Sequence, residues 1–205
     1  MADSCQAYLI VDTNAEALVP PSLAQLLRRR PIACVLLRSK TAAADRLKAL
    51  VTAGQLANCA MLIENDAALA LQVGADGVHI AFPGTIEAAE RQFGEARRVL
   101  GANRIVGAGA GLLRHDAMVL AELGADYVAL GDGEVVAPER LLEHVVWWAE
   151  MFEVPCVAWT AADRDGAARL AEAGADFVAA GPAGDIESAL EVLAGVNDCK
   201  RYAFD

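Results

Sequence analysis

Three copies of one turn, Gly74-Ala75-Asp76-Gly77-Val78, Gly124-Ala125-Asp126-Tyr127-Val128 and Gly174-Ala175-Asp176-Phe177-Val178, stand 50 residues apart. Each ends an amphipathic stretch of helical period and opens a short apolar run of β type. The glycine suits a left-handed helix C-cap, and the Asp is expected to bond its own backbone in the tight turn. A helix, a turn and a strand recurring at this interval imply two βα units per repeat, with the three turns feeding strands four, six and eight. The strands expected are Tyr8–Asp12, Ala33–Arg38, Cys59–Glu64, Gly77–Ile80, Arg104–Ala108, Tyr127–Gly131, Pro155–Thr160 and Phe177–Gly181. Between them, segments such as Ala42–Ala53, Asp66–Val73, Ile86–Phe93, Asp116–Leu123, Glu139–Phe152, Asp165–Ala173 and Ile186–Leu193 have helical period. Apolar strands alternating with helices make a parallel sheet covered by helices. Eight such units close into a (β/α)8 TIM barrel with short loops, one domain spanning residues 1–205.

Composition narrows the function classes. Seventeen basic against 28 acidic side chains give a formal net charge of −11, which argues against nucleic acid because phosphate neutralisation needs clustered Lys and Arg. The one basic run, Arg28-Arg29-Arg30, falls where a helix ends and complements its dipole. No apolar run reaches the roughly 18 residues of a membrane span. The N-terminal residues show no basic region followed by an apolar run, so no secretory signal is expected. The five cysteines are scattered without a C-x-x-C pair, and Cys34, Cys59 and Cys156 lie in apolar runs as core thiols. That usage fits a reducing cytoplasm.

Barrel sites form where strands end and βα loops begin. Strand two ends at Arg38-Ser39-Lys40, whose alternate cations share one side of an extended chain and suit a diphosphate or carboxylate. A solvated loop is the plainer alternative. Strand three ends at Asn65-Asp66, where either residue can cap the following helix. Beside Arg38 and Lys40, Asp66 becomes a candidate metal ligand bridging to a bound diphosphate. Gly109 in the run Gly107–Gly111, and Gly181 after strand eight, permit close backbone approach to a phosphorylated ligand. His79 near the end of strand four reads as a packed, hydrogen-bonded core residue, and His115 and His144 fall on helix surfaces. Of Trp147 and Trp148, one ring should face the barrel while the other covers a subunit contact. A homodimer through helix surfaces including Trp148 is therefore one expected assembly.

The stretches Ala7-Tyr8-Leu9-Ile10-Val11-Asp12, Met61-Leu62-Ile63-Glu64-Asn65-Asp66 and Val73-Gly74-Ala75-Asp76-Gly77-Val78-His79-Ile80, continued by Arg104-Ile105-Val106-Gly107, resemble the thiamine-phosphate synthase family over nearly the whole chain. The resemblance implies a transferase of thiamine biosynthesis that joins hydroxymethylpyrimidine diphosphate to thiazole phosphate and releases diphosphate. Arg38 and Lys40 stand at the family's diphosphate-gripping positions, and Asn65 and Asp66 match its substrate and magnesium pair. The implied mechanism is dissociative: diphosphate leaves, the pyrimidine methylene becomes cationic, and the thiazole nitrogen attacks. Mg2+ and nearby cations stabilise the leaving charge. Several positions depart from the family pattern. Leu36 replaces a Gln, Gly84 stands where the second magnesium carboxylate belongs, and Gly109 replaces a Ser. The loop after strand six has become Gly131-Asp132-Gly133-Glu134-Val135-Val136-Ala137-Pro138, and Trp159-Thr160 replaces a glycine pair. These departures raise the alternative of a degenerate relative that binds a phosphorylated ligand or a protein partner without transfer.

Overall fold

A computed structural model describes residues 5–13, 18–38, 42–133, 136–159, 161–181 and 186–198. Eight strands and eight helices alternate strictly. The strands are β1 (Gln6–Asp12), β2 (Ile32–Arg38), β3 (Ala60–Glu64), β4 (Gly77–Ile80), β5 (Ile105–Gly109), β6 (Tyr127–Leu130), β7 (Cys156–Ala158) and β8 (Phe177–Ala180). The helices are α1 (Pro20–Arg29), α2 (Ala44–Gln55), α3 (Ala67–Val73), α4 (Ile86–Leu100), α5 (Arg114–Glu122), α6 (Pro138–Met151), α7 (Arg164–Glu172) and α8 (Ile186–Asp198). All strands run parallel in the order β1 to β8, and β8 pairs back onto β1, closing the expected TIM barrel.

Helix boundaries follow local chemistry. Pro20 and Pro21 open α1, where a missing N–H costs nothing, and Arg28 and Arg29 end it. Asp163 caps α7 by accepting from the Gly166 N–H at 2.7 Å. Helix α4 runs to Leu100, past the Phe93 limit expected from its periodicity, because Gly94 is tolerated inside it and Gly101 at φ +72° supplies the stop. Strand β7 is shorter than Pro155–Thr160, with only Cys156–Ala158 in the ladder.

The Gly-Ala-Asp turns sit as expected between helix and strand, and Gly74, Gly124 and Gly174 all have positive φ. Their aspartates do not bond their own turns, however. Asp76 accepts from the Met61 N–H, Asp126 from the Val106 N–H and Asp176 from the Cys156 N–H, at 2.7, 2.7 and 2.9 Å. Each carboxylate thus satisfies a free amide at the start of the preceding strand, stitching β4 to β3, β6 to β5 and β8 to β7. A parallel strand's first N–H needs a partner outside the ladder, and this Asp provides it.

Two apolar shells result from the period-two alternation of the strands. Tyr8, Ile10, Cys34, Leu36, Leu62, Tyr127, Ala129, Val157, Trp159 and Ala179 fill the barrel interior. Leu9, Val11, Val35, Leu37, Met61 and Ile63 point outward under the helices. Trp148 belongs to this outer shell: it is 1% exposed and its Nε1–H donates to the Val154 carbonyl at 2.8 Å. The expectation that Trp148 forms a dimer surface is therefore corrected. Trp147 is the half-buried ring, with the Arg114 guanidinium 4.6 Å from its centroid.

Candidate active site at the carboxyl ends of the strands

Arg38 and Glu64 continue the inward phase set by Leu36 and Leu62 and arrive side by side at the mouth, since Leu37 registers with Ile63. Arg38 Nε donates to Glu64 Oε1 at 2.5 Å. The cation chosen from the sequence is thus present at the mouth but held by a carboxylate the sequence reading had not singled out. Thr13 is fully buried behind it, its hydroxyl donating to the Arg38 carbonyl at 2.9 Å. Lys40 lies outside the described residues.

Asn65 and Asp66 follow directly but do other work. Asn65 adopts φ +60°, a left-handed conformation Asn accepts more readily than most residues. Its N–H donates to the His79 carbonyl and its Oδ1 accepts from the Ala81 N–H, both at 2.8 Å, so it fastens the β4 exit to β3. Asp66 caps α3, its Oδ1 accepting from the Leu69 N–H at 2.8 Å. Both residues line a groove of ≈ 460 Å³ between α3 and α4, with Phe82, Pro83, Gln92 and Glu95. No hydrogen bond joins Arg38 to Asn65 or Asp66 among the described residues.

Across the mouth from β2, the end of β6 carries a second set of polar groups. His79, fully buried on β4, bonds Tyr127 Oη through Nδ1 at 2.9 Å and Asp132 Oδ2 through Nε2 at 3.2 Å. Tyr127 in turn bonds Tyr8 Oη at 3.0 Å, so a polar chain runs along the barrel axis up to Asp132. Rings enclose the imidazole: Tyr127 lies parallel at 5.8 Å and Trp159 stacks at 4.6 Å. Asp132 also accepts from the Phe82 N–H at 2.9 Å. Burial pushes the Asp132 carboxyl up, but the His79 hydrogen bond and electrostatics, the Phe82 N–H and the Arg38 charge outweigh it and hold it below its usual range. Desolvation, with the proximity of other acidic groups, pushes the Tyr8 and Tyr127 hydroxyls up, so both stay protonated.

Two glycines make this arrangement possible. A Cβ on Gly107 would stand 1.9 Å from the Tyr127 ring, and one on Gly109 would stand 2.1 Å from Asp132 Oδ2. Gly109 therefore accommodates Asp132 where an open ligand surface was expected. Gly181, at φ +100°, approaches the β1 backbone so closely that a Cβ would sit 2.3 Å from the Ile10 carbonyl oxygen. The reading of His79 as a packed, hydrogen-bonded residue holds. Glu64 and Asp132 are what sequence reasoning missed. The signal for Glu64 was its strand phase with Leu62; Asp132 had only the acidic character of its loop.

Among the described residues, no group of three or more His, Cys, Asp or Glu is arranged to hold a metal ion. Magnesium needs no such cage, because it commonly keeps waters and binds through one or two carboxylates plus substrate phosphates. Asp66 fits that limited role as a carboxylate at the start of α3 whose Oδ1 caps the helix. No described helix is long and apolar enough to cross a membrane.

Comparison with known proteins bears on the family and the fold. The sequence is 36% identical to a thiamine-phosphate synthase of Rhodospirillum centenum, covering 93% of this chain and 99% of that protein. It is also 36% identical to a thiamine-phosphate synthase of Erythrobacter litoralis, over 74% of this chain and 71% of that one. A solved structure of thiamine phosphate pyrophosphorylase from Pyrococcus furiosus superposes with a TM-score of 0.71 at 21% identity, covering 96% of this chain and 98% of that chain, which concerns the fold. The family model described as thiamine monophosphate synthase matches residues 7–183, and the chain belongs to that family.

Proposed function

We propose that this chain couples hydroxymethylpyrimidine diphosphate to thiazole phosphate, forming thiamine phosphate and diphosphate in a reducing cytoplasm. The observation that carries the reading is the family match over residues 7–183, with Arg38, Asn65 and Asp66 at the same end of the barrel. In the reaction the methylene C–O bond breaks and its electron pair leaves with the diphosphate. The thiazole nitrogen lone pair then forms the new C–N bond, and no proton has to move.

Arg38, with Lys40, is assigned to the departing diphosphate, which a guanidinium binds with charge and directed N–H groups. To do so Arg38 must exchange Glu64 for the incoming phosphoryl oxygens. Asn65 holds the β4 exit in place beside the substrate, and Asp66 is the carboxylate assigned to Mg2+. The metal, when bound with the substrate, offsets diphosphate charge. Gly181 is assigned to the rim where backbone and substrate come close, whereas Asp132 occupies the space above Gly109.

Purified protein incubated with both substrates and magnesium should form thiamine phosphate, and Arg38→Ala should lower the rate by two orders of magnitude or more, on the scale of removing a transition-state charge contact, about 10²–10³. Folded wild-type protein that yields no thiamine phosphate would leave the degenerate alternative standing.

A further inference from the structure

Three positions at which this chain departs from its family meet at one imidazole. Asp132 hydrogen-bonds His79, Trp159 stacks on it, and Gly109 leaves the space that the Asp132 carboxylate fills. A serine at 109 and Asp132 in its present position exclude one another, so these departures form one rebuilt wall. Eight strands close in sequence order, which puts the ends of β2 and β6 on opposite sides of the mouth. One side thus presents Arg38 and the other Asp132. Arg38 has Glu64 as its partner, whereas the described partners of Asp132 are an imidazole and a backbone amide, with no Lys or Arg bonded to it. A carboxylate 2% exposed in that setting is a fixed, oriented negative charge.

We propose that Asp132, oriented by His79 and walled by Trp159, favours a cationic nitrogen heteroaromatic ring on the β4–β7 side of the mouth. The inference rests on the coupling reading, in which the neutral thiazole becomes a thiazolium as its nitrogen bonds to carbon, while the pyrimidine methylene carries positive charge after the C–O bond breaks. The Arg38 side then receives the anion that leaves and the Asp132 side faces the cation that forms. Asp132 is a positioning residue in this scheme, acting by its charge and through the His79 ring.

The test measures equilibrium binding of a neutral hydroxyethyl thiazole and of its N-methylated thiazolium to wild type and Asp132→Asn. The pair differs by one charge and one methyl. Wild type should prefer the thiazolium by about tenfold or more, between the bulk-water and near-surface limits for one charge pair a few ångströms apart, and the preference should fall with salt. In Asp132→Asn the preference should vanish, while affinity for inorganic diphosphate stays the same or rises. No preference in wild type, or a preference that survives the substitution, overturns the proposal. The wild-type comparison decides the matter even if the variant does not fold. The coupling assay is read separately. A thiazolium preference without product formation removes the coupling reading and leaves the charge site. Product formation without the preference does the reverse.

Discussion

Replacing Gly109 with serine restores the family's residue and should nevertheless damage this protein. The new Cβ would stand 2.1 Å from Asp132 Oδ2, 2.6 Å from the Phe82 amide nitrogen and 2.9 Å from Asp132 Cγ. The Phe82 nitrogen is backbone, and the carboxylate is held by two hydrogen bonds, so neither can yield cheaply. Overpacking a filled site costs about 1–3 kcal/mol. Driving Asp132 off its partners adds about 1.5–3 kcal/mol for each hydrogen bond to a charged group. The expected loss is therefore roughly 4–9 kcal/mol, a large share of the about 5–15 kcal/mol of a typical domain. At about 2–4 °C per kcal/mol for a chain of this size, Tm should fall by on the order of 10 °C or more. Chemical denaturation of Gly109→Ser, Asp132→Gly and the double variant gives the coupling directly. With Asp132 truncated only the Phe82 backbone nitrogen still opposes the serine, so its cost should drop by at least about 2 kcal/mol, a coupling within the range for touching residues. Equal cost in both backgrounds, or a cost below about 1 kcal/mol in wild type, would refute the claim that Asp132 fills the space above Gly109.

Glu64→Gln should release Arg38 and tighten inorganic diphosphate binding several-fold by calorimetry; unchanged affinity would mean that the pair does not compete with anions. Burial pushes the Cys59 and Cys156 thiols up to about 12 and raises Cys34 well above its ordinary value. Of the four described cysteines, half-buried Cys5 should therefore be alkylated first at pH 8, with mass spectrometry finding the other three protected until unfolding. The folded Asp132 carboxyl titrates below the roughly 3.9 of an unfolded Asp, so its contribution is complete above that pH and fades as pH falls through the lowered folded value. The stability difference between wild type and Asp132→Asn should be flat from pH 5 to 7 and shrink only in stronger acid. A difference that changes near neutrality would contradict this assignment.

Most of the barrel was legible because its information is local. The Gly-Ala-Asp turns, the short apolar runs and the helical periods each lie within a few residues, and eight such units leave few ways to close a sheet. A structural misreading there, the partner of Asp76, Asp126 and Asp176, concerns a bond to a strand about 20 residues earlier or nearer, which a turn motif does not encode. The site was legible only in part for the same reason. Arg38, Asn65 and Asp66 do lie at the strand ends, but their partners are set by barrel closure. Arg38 meets Glu64 across 26 residues, and His79 meets Asp132 across 53. Capping of α3 by Asp66 was foreseeable, since an Asp before an apolar helical run is an N-cap by type. The exchange of a serine for a glycine at 109 looked like loss; only the packed structure shows the carboxylate that takes up the volume.

A crystal structure of the protein soaked with magnesium and diphosphate addresses the mouth most directly. The account predicts the anion against the Arg38 guanidinium at the carboxyl end of β2, with Glu64 displaced from its 2.5 Å contact and Asp132 still on His79 at the opposite wall. Diphosphate bound elsewhere, with Arg38 and Glu64 still paired, would contradict it.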